Sequence, residues 1–345
     1  MKILIVKLSS IGDIVHTLPA LAAIRNALPH AEISWTVEKN SAEILRGNEF
    51  LENIIEIDTR SFRGGNAVRN ILPEAARQIG ELRKFRFDIA LDFQGLWKSA
   101  AIAKLAKAKK IYGFAKLVRR EPASRILLTQ TIEIQPKIHV IRKHLTLAQK
   151  VLKISVPSEN FEFPIFTDEK HRLEAEKIIG QTGENFAILN PAGGWITKLW
   201  HAEKFGILAD KIWEEIGLVS IVATAPNEIE LAEKVLANSK SGKVFLTQPS
   251  LRGFYELARR AKIYVGGDTG PTHLAVAANA PTVGIFGPTE WWRNGSLNPK
   301  DICVERSDTN CRIDCHRRTC SNWICMDITP ETVFNAVQKR LEFSS

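Results

Sequence analysis

No apolar run in the chain approaches the about 18 residues that a membrane-spanning helix needs, so the sequence predicts no transmembrane segment. The 5 cysteines all fall between residues 303 and 325, which is no disulfide framework for a chain of 345 residues. The CxxC knuckles of zinc ribbons are missing. A G-x-G-x-x-G after the first strand is missing too, which argues against a Rossmann dehydrogenase. No helix-turn-helix, RRM or zinc-finger signature is present, so no nucleic-acid partner is expected. The opening MKILIVKLSS only superficially resembles a signal peptide. Its apolar run is short, Lys7 interrupts it, and Asp13 and His16 follow. A buried strand is the better reading, and the protein reads as cytoplasmic.

Hydrophobic residues make up 45% of the chain and charged residues 25%, which is ordinary for globular proteins and enough for sizeable cores. At roughly 150 residues per domain the length favours two domains. Lys and Arg exceed Asp and Glu by 47 to 38, a net charge of +9. That excess suggests an anionic partner without choosing among nucleic acid, a phosphorylated substrate and an anionic membrane surface.

Strand and helix signals alternate along the first half. Strands are predicted at Lys2–Lys7, Ala31–Glu38, Asn53–Asp58 and Phe87–Phe93, with helical spacing over Ile14–Leu28, Pro73–Lys84 and Trp97–Ala108. Residues 154–170 carry Pro157 and Pro164 and read as a linker. The alternation then restarts at Phe186–Asn190 and runs to Pro281–Phe286. The architecture implied is α/β: two Rossmann-like domains with parallel sheets, at 1–160 and 161–329. A terminal helix within 330–345 is expected to pack back on the N-terminal domain. Two facing domains of this kind offer a cleft lined by the loops after the strands.

Six groups in loops stand out. In Lys7-Leu-Ser-Ser-Ile-Gly-Asp13, Ser10 or Asp13 caps the next helix, or Asp13 serves as a general base tuned by His16; composition does not decide. Gly266-Gly-Asp-Thr-Gly-Pro-Thr-His273 puts a Gly-rich turn before a helix start, which suits phosphate. There Thr269 and Thr272 add hydroxyls, His273 can donate, and Asp268 holds the loop. In Pro191-Ala-Gly-Gly-Trp-Ile-Thr-Lys198, Gly193 and Gly194 permit close approach, while Thr197 and Lys198 can reach a phosphate oxygen. Glu228 stands where a Rossmann acid takes ribose hydroxyls, or simply where a first helical turn favours Glu. Arg60, Arg63, Arg69, Lys98, Arg119 and Arg120 form either a basic acceptor rim or a solvated face. Cys311, Cys315, Cys320 and Cys325, with Cys303 upstream and His316 between, form either a structural metal site or a set of packed thiols.

Together the pieces resemble the heptosyltransferases of glycosyltransferase family 9. KLSSIGDIVHTLPAL at 7–21, DFQGLWKSA at 92–100, REPAS at 120–124 and GGDTGPTHLA at 266–275 carry the resemblance, in order, over nearly the whole chain. It implies a GT-B fold and an inverting, metal-independent transfer with no cofactor. The implied donor is ADP-L-glycero-D-manno-heptose and the implied acceptor is Kdo of the lipopolysaccharide inner core. Alternatively the acceptor is a heptosylated core, as for the second heptosyltransferase, or another sugar of the family. A nucleotide- or nucleic-acid-binding non-enzyme is the reading of a different class.

By the same resemblance Asp13 is the general base and Lys198 neutralises the leaving ADP. Thr269 and Gly270 bind pyrophosphate, with Asp268 and His273 shaping that site, and Glu228 matches the ribose acid. Ser10, Arg60, Arg63, Lys98 and Arg120 match the acceptor side, facing Kdo and lipid A phosphates. Because that acceptor is lipid-anchored, peripheral contact with the cytoplasmic face of the inner membrane is expected.

Overall fold

The computed structural model describes residues 1–59, 77–313 and 315–343. It divides into two compact units, Met1–Phe166 and Thr167–Ser345. The boundary falls inside the 154–170 stretch, a few residues beyond 160.

The first unit holds β1 (Lys2–Val6), β2 (Glu32–Glu38), β3 (Asn53–Ile57), β4 (Ile89–Asp92), β5 (Lys110–Phe114) and β6 (Gln130–Ile132). They form one sheet in the order β3-β2-β1-β4-β5-β6, every pair parallel. The second unit holds β7 (Phe186–Asn190), β8 (Val219–Ala223), β9 (Val244–Thr247), β10 (Ile263–Gly267), β11 (Thr282–Phe286) and β12 (Ile302–Glu305). Read from its far edge, its order is β9-β8-β7-β10-β11-β12, again parallel throughout. The two units thus repeat one topology.

Their sequences explain the sheets. KILIV in β1 and FAILN in β7 are near-continuous apolar runs, as a strand covered by helices on both faces requires. Ile3 sits between Ile33 and Ile89, and Val265 between Val283 and Leu189, so each sheet stacks branched side chains across its centre. Each fully buried side chain of this size contributes about 1.5–3 kcal/mol. Trp35 of β2 is fully buried, and its indole N–H donates to the Lys7 carbonyl at 2.9 Å. That bond ties the core to the loop that follows β1.

Two expectations are corrected here. The predicted helix Ile14–Leu28 is two helices, Ile11–Val15 and Leu18–Ala27. Pro19 cannot continue a helix already begun, but it fits the first turn of a new one. The closing helix, Pro330–Glu342, was expected on the N-terminal domain. Its apolar side chains Val333, Phe334 and Val337 are buried in the core of the second unit, against Ala202–Ile216 and β10 to β12. Arg340 fixes it there through a buried pair with Asp301 at 2.8 Å.

Candidate functional site

Each sheet reverses its strand order once, between β1 and β4 in the first unit and between β7 and β10 in the second. Ligands of open α/β sheets bind at the carboxyl ends of strands flanking that switch. The loops that leave these four strands carry Asp13, Gln94, Lys198 and Asp268.

In the first unit, Lys7 follows β1 and is buried. Its Nζ donates to the Phe93 carbonyl at 3.2 Å and lies 3.4 Å from Asp13 Oδ1. Asp13 sits in the short helix Ile11–Val15. Its Oδ2 accepts the Ser10 backbone N–H at 3.2 Å, with Arg120 Nη1 at 4.0 Å. Asp13 therefore both caps its helix and keeps a carboxylate edge in contact with solvent. Burial alone raises its pKa, but Lys7, then Arg120 and the Ser10 amide, outweigh that and hold it below the ordinary carboxylate value. Burial likewise lowers the Lys7 pKa, and Asp13 opposes the fall.

Burial and then Lys7 hold His144 well below the usual histidine pKa. His16 packs its ring edge-on against His139 at 6.0 Å.

The DFQG turn after β4 braces this loop. Gln94 Oε1 accepts the Leu8 N–H at 3.0 Å, and its Nε2 donates to the Ser9 carbonyl at 2.8 Å. Sequence reasoning assigned Gln94 no role, although it lies inside a quoted motif. Gly95 has φ +72°, and a Cβ there would meet Arg119 Cγ at 3.3 Å. That close approach lets the Gly95 carbonyl accept the Glu121 N–H at 3.1 Å, which brings Arg120 toward Asp13.

The basic rim is only partly assembled. Arg119 is buried and its guanidinium donates to the Phe114 carbonyl, so it is a structural residue. Lys98 pairs with buried Glu38 at 2.9 Å. Ser10 is exposed beside Asp13. Arg60, Arg63 and Arg69 lie outside the described residues.

In the second unit, Lys198 Nζ lies 2.6 Å from Asp268 Oδ2 and donates to the Asp268 carbonyl at 3.2 Å. Asp268 Oδ1 is 3.1 Å from His273 Nε2, and Asn294 Nδ2 donates to Oδ2 at 3.4 Å. An ionised carboxylate only accepts, so Nε2 of His273 carries the proton in this contact. Burial pushes the Asp268 carboxyl up, but His273 and Lys198 overcome it and hold it far below the ordinary range. Asp268 thus anchors the lysine through side-chain donors, where backbone N–H groups of its own loop were the expected partners.

The helix Gly270–Ala277 starts beside this pair, with Pro271 in its first turn. Its N-terminus carries partial positive charge. Thr269 and Thr272 are buried with hydroxyls 3.2 Å apart. Thr272 also donates to the Gly267 carbonyl and meets Tyr264 Oη at 2.9 Å, so it holds the turn and is not a free donor. A Cβ on Gly267 would approach the Lys198 carbonyl to 3.2 Å, which is why a glycine ends β10 under that loop.

Other predicted positions resolve differently. The Thr197 hydroxyl donates to the Arg317 carbonyl at 2.6 Å. A side chain at Gly193 would strike Leu199, whereas at Gly194 it would meet open space. One oxygen of Glu228 accepts the Ala225 N–H at 3.1 Å, which leaves the other for a ligand.

With this geometry in hand, comparison with known proteins decides the family. A model of glycosyltransferase family 9 (heptosyltransferase) matches residues 76–324. The chain belongs to glycosyltransferase family 9. Lipopolysaccharide heptosyltransferase 1 of Escherichia coli K12 is 30% identical over 296 residues, 84% of this chain and 89% of that protein. Lipopolysaccharide heptosyltransferase 1 of Pseudomonas aeruginosa is 27% identical over 323 residues, 93% of this chain and 88% of that protein. The E. coli heptosyltransferase WaaC with ADP-2-deoxy-2-fluoro heptose aligns over 100% of both chains, with a TM-score of 0.77 at 25% identity. The protein is a glycosyltransferase, and its paired six-stranded sheets are those of the GT-B fold.

In this family 9 glycosyltransferase the cysteine-rich segment lies against the Lys198 loop. Trp323 Nε1 donates to the Thr197 carbonyl at 3.0 Å, opposite in sense to the Thr197–Arg317 bond. Among the described residues no three His, Cys, Asp or Glu side chains gather as metal ligands; all five cysteines are free, with Cys325 buried and Cys311 and Cys320 exposed. Burial raises the pKa of Cys303 and of Cys325, which removes both as nucleophiles.

Proposed function

We propose that the protein transfers heptose from ADP-L-glycero-D-manno-heptose to Kdo of the lipopolysaccharide inner core, with inversion and without a metal. The observation that carries this reading is the polarity of the two lysine–aspartate pairs. One unit presents a carboxylate held ionised from behind by a buried lysine. The other presents a lysine held from behind by a buried carboxylate. The first suits proton removal and the second suits a leaving diphosphate. The WaaC structure with a fluorinated ADP-heptose and the two heptosyltransferase 1 relatives support the donor and the pathway.

In this mechanism Asp13 accepts the proton of a Kdo hydroxyl while that oxygen bonds to C1 of the heptose. The C1–O bond to the diphosphate breaks on the opposite face, and its electron pair leaves with ADP, which inverts C1. Lys198 and the N-terminus of Gly270–Ala277 take up the charge that develops on the diphosphate. Thr269 and Gly270 line that position, with Asp268 and His273 fixing Lys198. The free oxygen of Glu228 receives the ribose hydroxyls. Arg120, 4.0 Å from Asp13, and exposed Ser10 are the described residues suited to the acceptor's carboxylates and phosphates. No helix among the described residues is long and apolar enough to cross a membrane, so a lipid-anchored acceptor calls for peripheral contact at the cytoplasmic face of the inner membrane.

The test is ADP release from ADP-heptose with two purified acceptors, Kdo₂-lipid A and the same lipid already carrying one heptose. Turnover on the first alone is expected. Turnover only on the second moves the enzyme one step along the core. No turnover with either, or with other nucleotide sugars, overturns the reading.

A further inference from the structure

The cysteine-rich segment carries a cation that the proposed mechanism has not used. Lys198 is paired with Asp268 at 2.6 Å, so part of its charge is already offset. A sugar-bound diphosphate brings two negative charges, and Lys198 with a helix N-terminus opposes them only in part. Arg318 lies close by. Its guanidinium carbon is 5.3 Å from the centre of the Trp195 ring, and Lys198 Nζ is 4.4 Å from the centre of the same ring. One indole therefore holds two cations, and among the described residues Arg318 has no ion-pair partner.

The geometry points to Arg318 as a second diphosphate-binding residue, delivered to the donor site by the cysteine-rich segment. This rests on the reading of Lys198 as the donor-phosphate lysine. An arginine against an aromatic ring engages it through the flat guanidinium, while its in-plane N–H groups stay available for two phosphate oxygens. Trp195 thus orients the group that would bind. The chain around Arg318 is fixed on both sides. The Arg317 carbonyl accepts from Thr197 at 2.6 Å, and Trp323 donates to the Thr197 carbonyl at 3.0 Å. Just upstream, the His316 N–H donates to the Pro288 carbonyl at 3.0 Å. These bonds explain why Thr197, in the middle of a phosphate loop, spends its hydroxyl on the backbone. It couples the loop to the residue that completes the site.

The experiment is calorimetric titration of ADP and of AMP into the full chain and into Arg318→Ala, Arg318→Lys and Lys198→Ala. Arg318→Ala is expected to weaken ADP about ten- to a hundredfold, the range of one hydrogen bond to a charged group, and to leave AMP unchanged. Arg318→Lys should recover part of the loss, because it restores the charge without the fork. Equal losses for ADP and AMP, or no loss for ADP while Lys198→Ala weakens it, overturn the assignment. If Lys198→Ala leaves ADP affinity intact, or the unaltered chain binds no ADP, the donor-site reading itself has failed and the assignment falls with it. Matching thermal midpoints for the Arg318 variants and the unaltered chain exclude unfolding as the cause.

Discussion

Each unit places a lysine–aspartate pair at its switch point, one after β1 alone and the other across the loops after β7 and β10, and the pairs face opposite ways. In the first, the lysine side chain is 4% exposed and the aspartate 28%; in the second, the lysine is 13% exposed and the aspartate 4%. In the proposed mechanism the buried member holds the pair and the outer member does the chemistry. A carboxylate backed by a buried cation stays ionised while part of it meets solvent, so it can accept a proton. A lysine held by a buried carboxylate is positioned to meet an anion. In the proposed mechanism a repeated Rossmann-like scaffold supplies a base from one copy and an electrophilic stabiliser from the other, by exchanging which partner is exposed.

Neutralising the outer member of the first pair should have the largest effect. Asp13→Asn keeps the shape and removes the proton acceptor. A loss of about 10²–10⁴ in kcat is expected, as for other general bases. Affinity for ADP, measured by calorimetry, should not change, because the donor residues belong to the other unit. Near-normal transfer by this variant would break the comparison at its first term.

The second pair should give a smaller loss with a different signature. Lys198→Ala should lower kcat by about 10²-fold, the lower end for removing one transition-state donor, and should weaken ADP as well. Steady-state kinetics with ADP binding measured in parallel separates the two variants. Asp13→Asn moves kcat alone, whereas Lys198→Ala moves both. If both leave ADP binding untouched, the second pair is structural.

Much of this was legible in the sequence because strong local signals coincide with the site. The apolar runs of β1, β7 and β10 and the glycines at or after their ends mark three of the four switch-point strands, and Asp13, Lys198 and Asp268 stand just beyond them. What stayed hidden depends on long-range packing. Nothing in the chain's pattern shows that Lys7, 86 residues from Phe93, turns inward and backs Asp13. Gln94 binds Leu8 and Ser9 across a similar separation. Thr197 looks like a phosphate ligand by composition, and only the fold reveals Arg317 waiting for its hydroxyl. Arg119 and Arg120 are identical in sequence terms, yet one is buried on Phe114 and the other points toward Asp13. Charge and spacing identify candidate groups, but burial decides which member of each pair acts.

The backing lysine can be tested through pH. Lys7 and Arg120 lower the Asp13 pKa, so the carboxylate stays ionised to lower pH than an ordinary aspartate, near 3.9. Removing a cation removes that support. The folded pKa rises, and the base is lost at higher pH. Lys7→Met should therefore shift the acid limb of kcat/KM upward, with the plateau retained where Asp13 is still ionised. An unshifted or downward-shifted limb would mean that Lys7 does not act on Asp13.

Arg120→Ala should move the same limb in the same direction by less, and here the comparison is sharpest. Arg120 lies 4.0 Å from Asp13 and is 52% exposed, against 3.4 Å and 4% for Lys7. Water and salt screen the exposed charge far more than the buried one, since the Debye length is about 8 Å at physiological ionic strength. The Arg120→Ala shift should therefore fade when the profile is repeated at high salt, while the Lys7→Met shift persists. If Arg120 also meets the acceptor, its loss should raise the acceptor KM at every pH, which a pure pKa effect would not do. Two salt-insensitive shifts of equal size would mean that burial does not set the difference between the cations, and the contrast between inner and outer members would have to be abandoned.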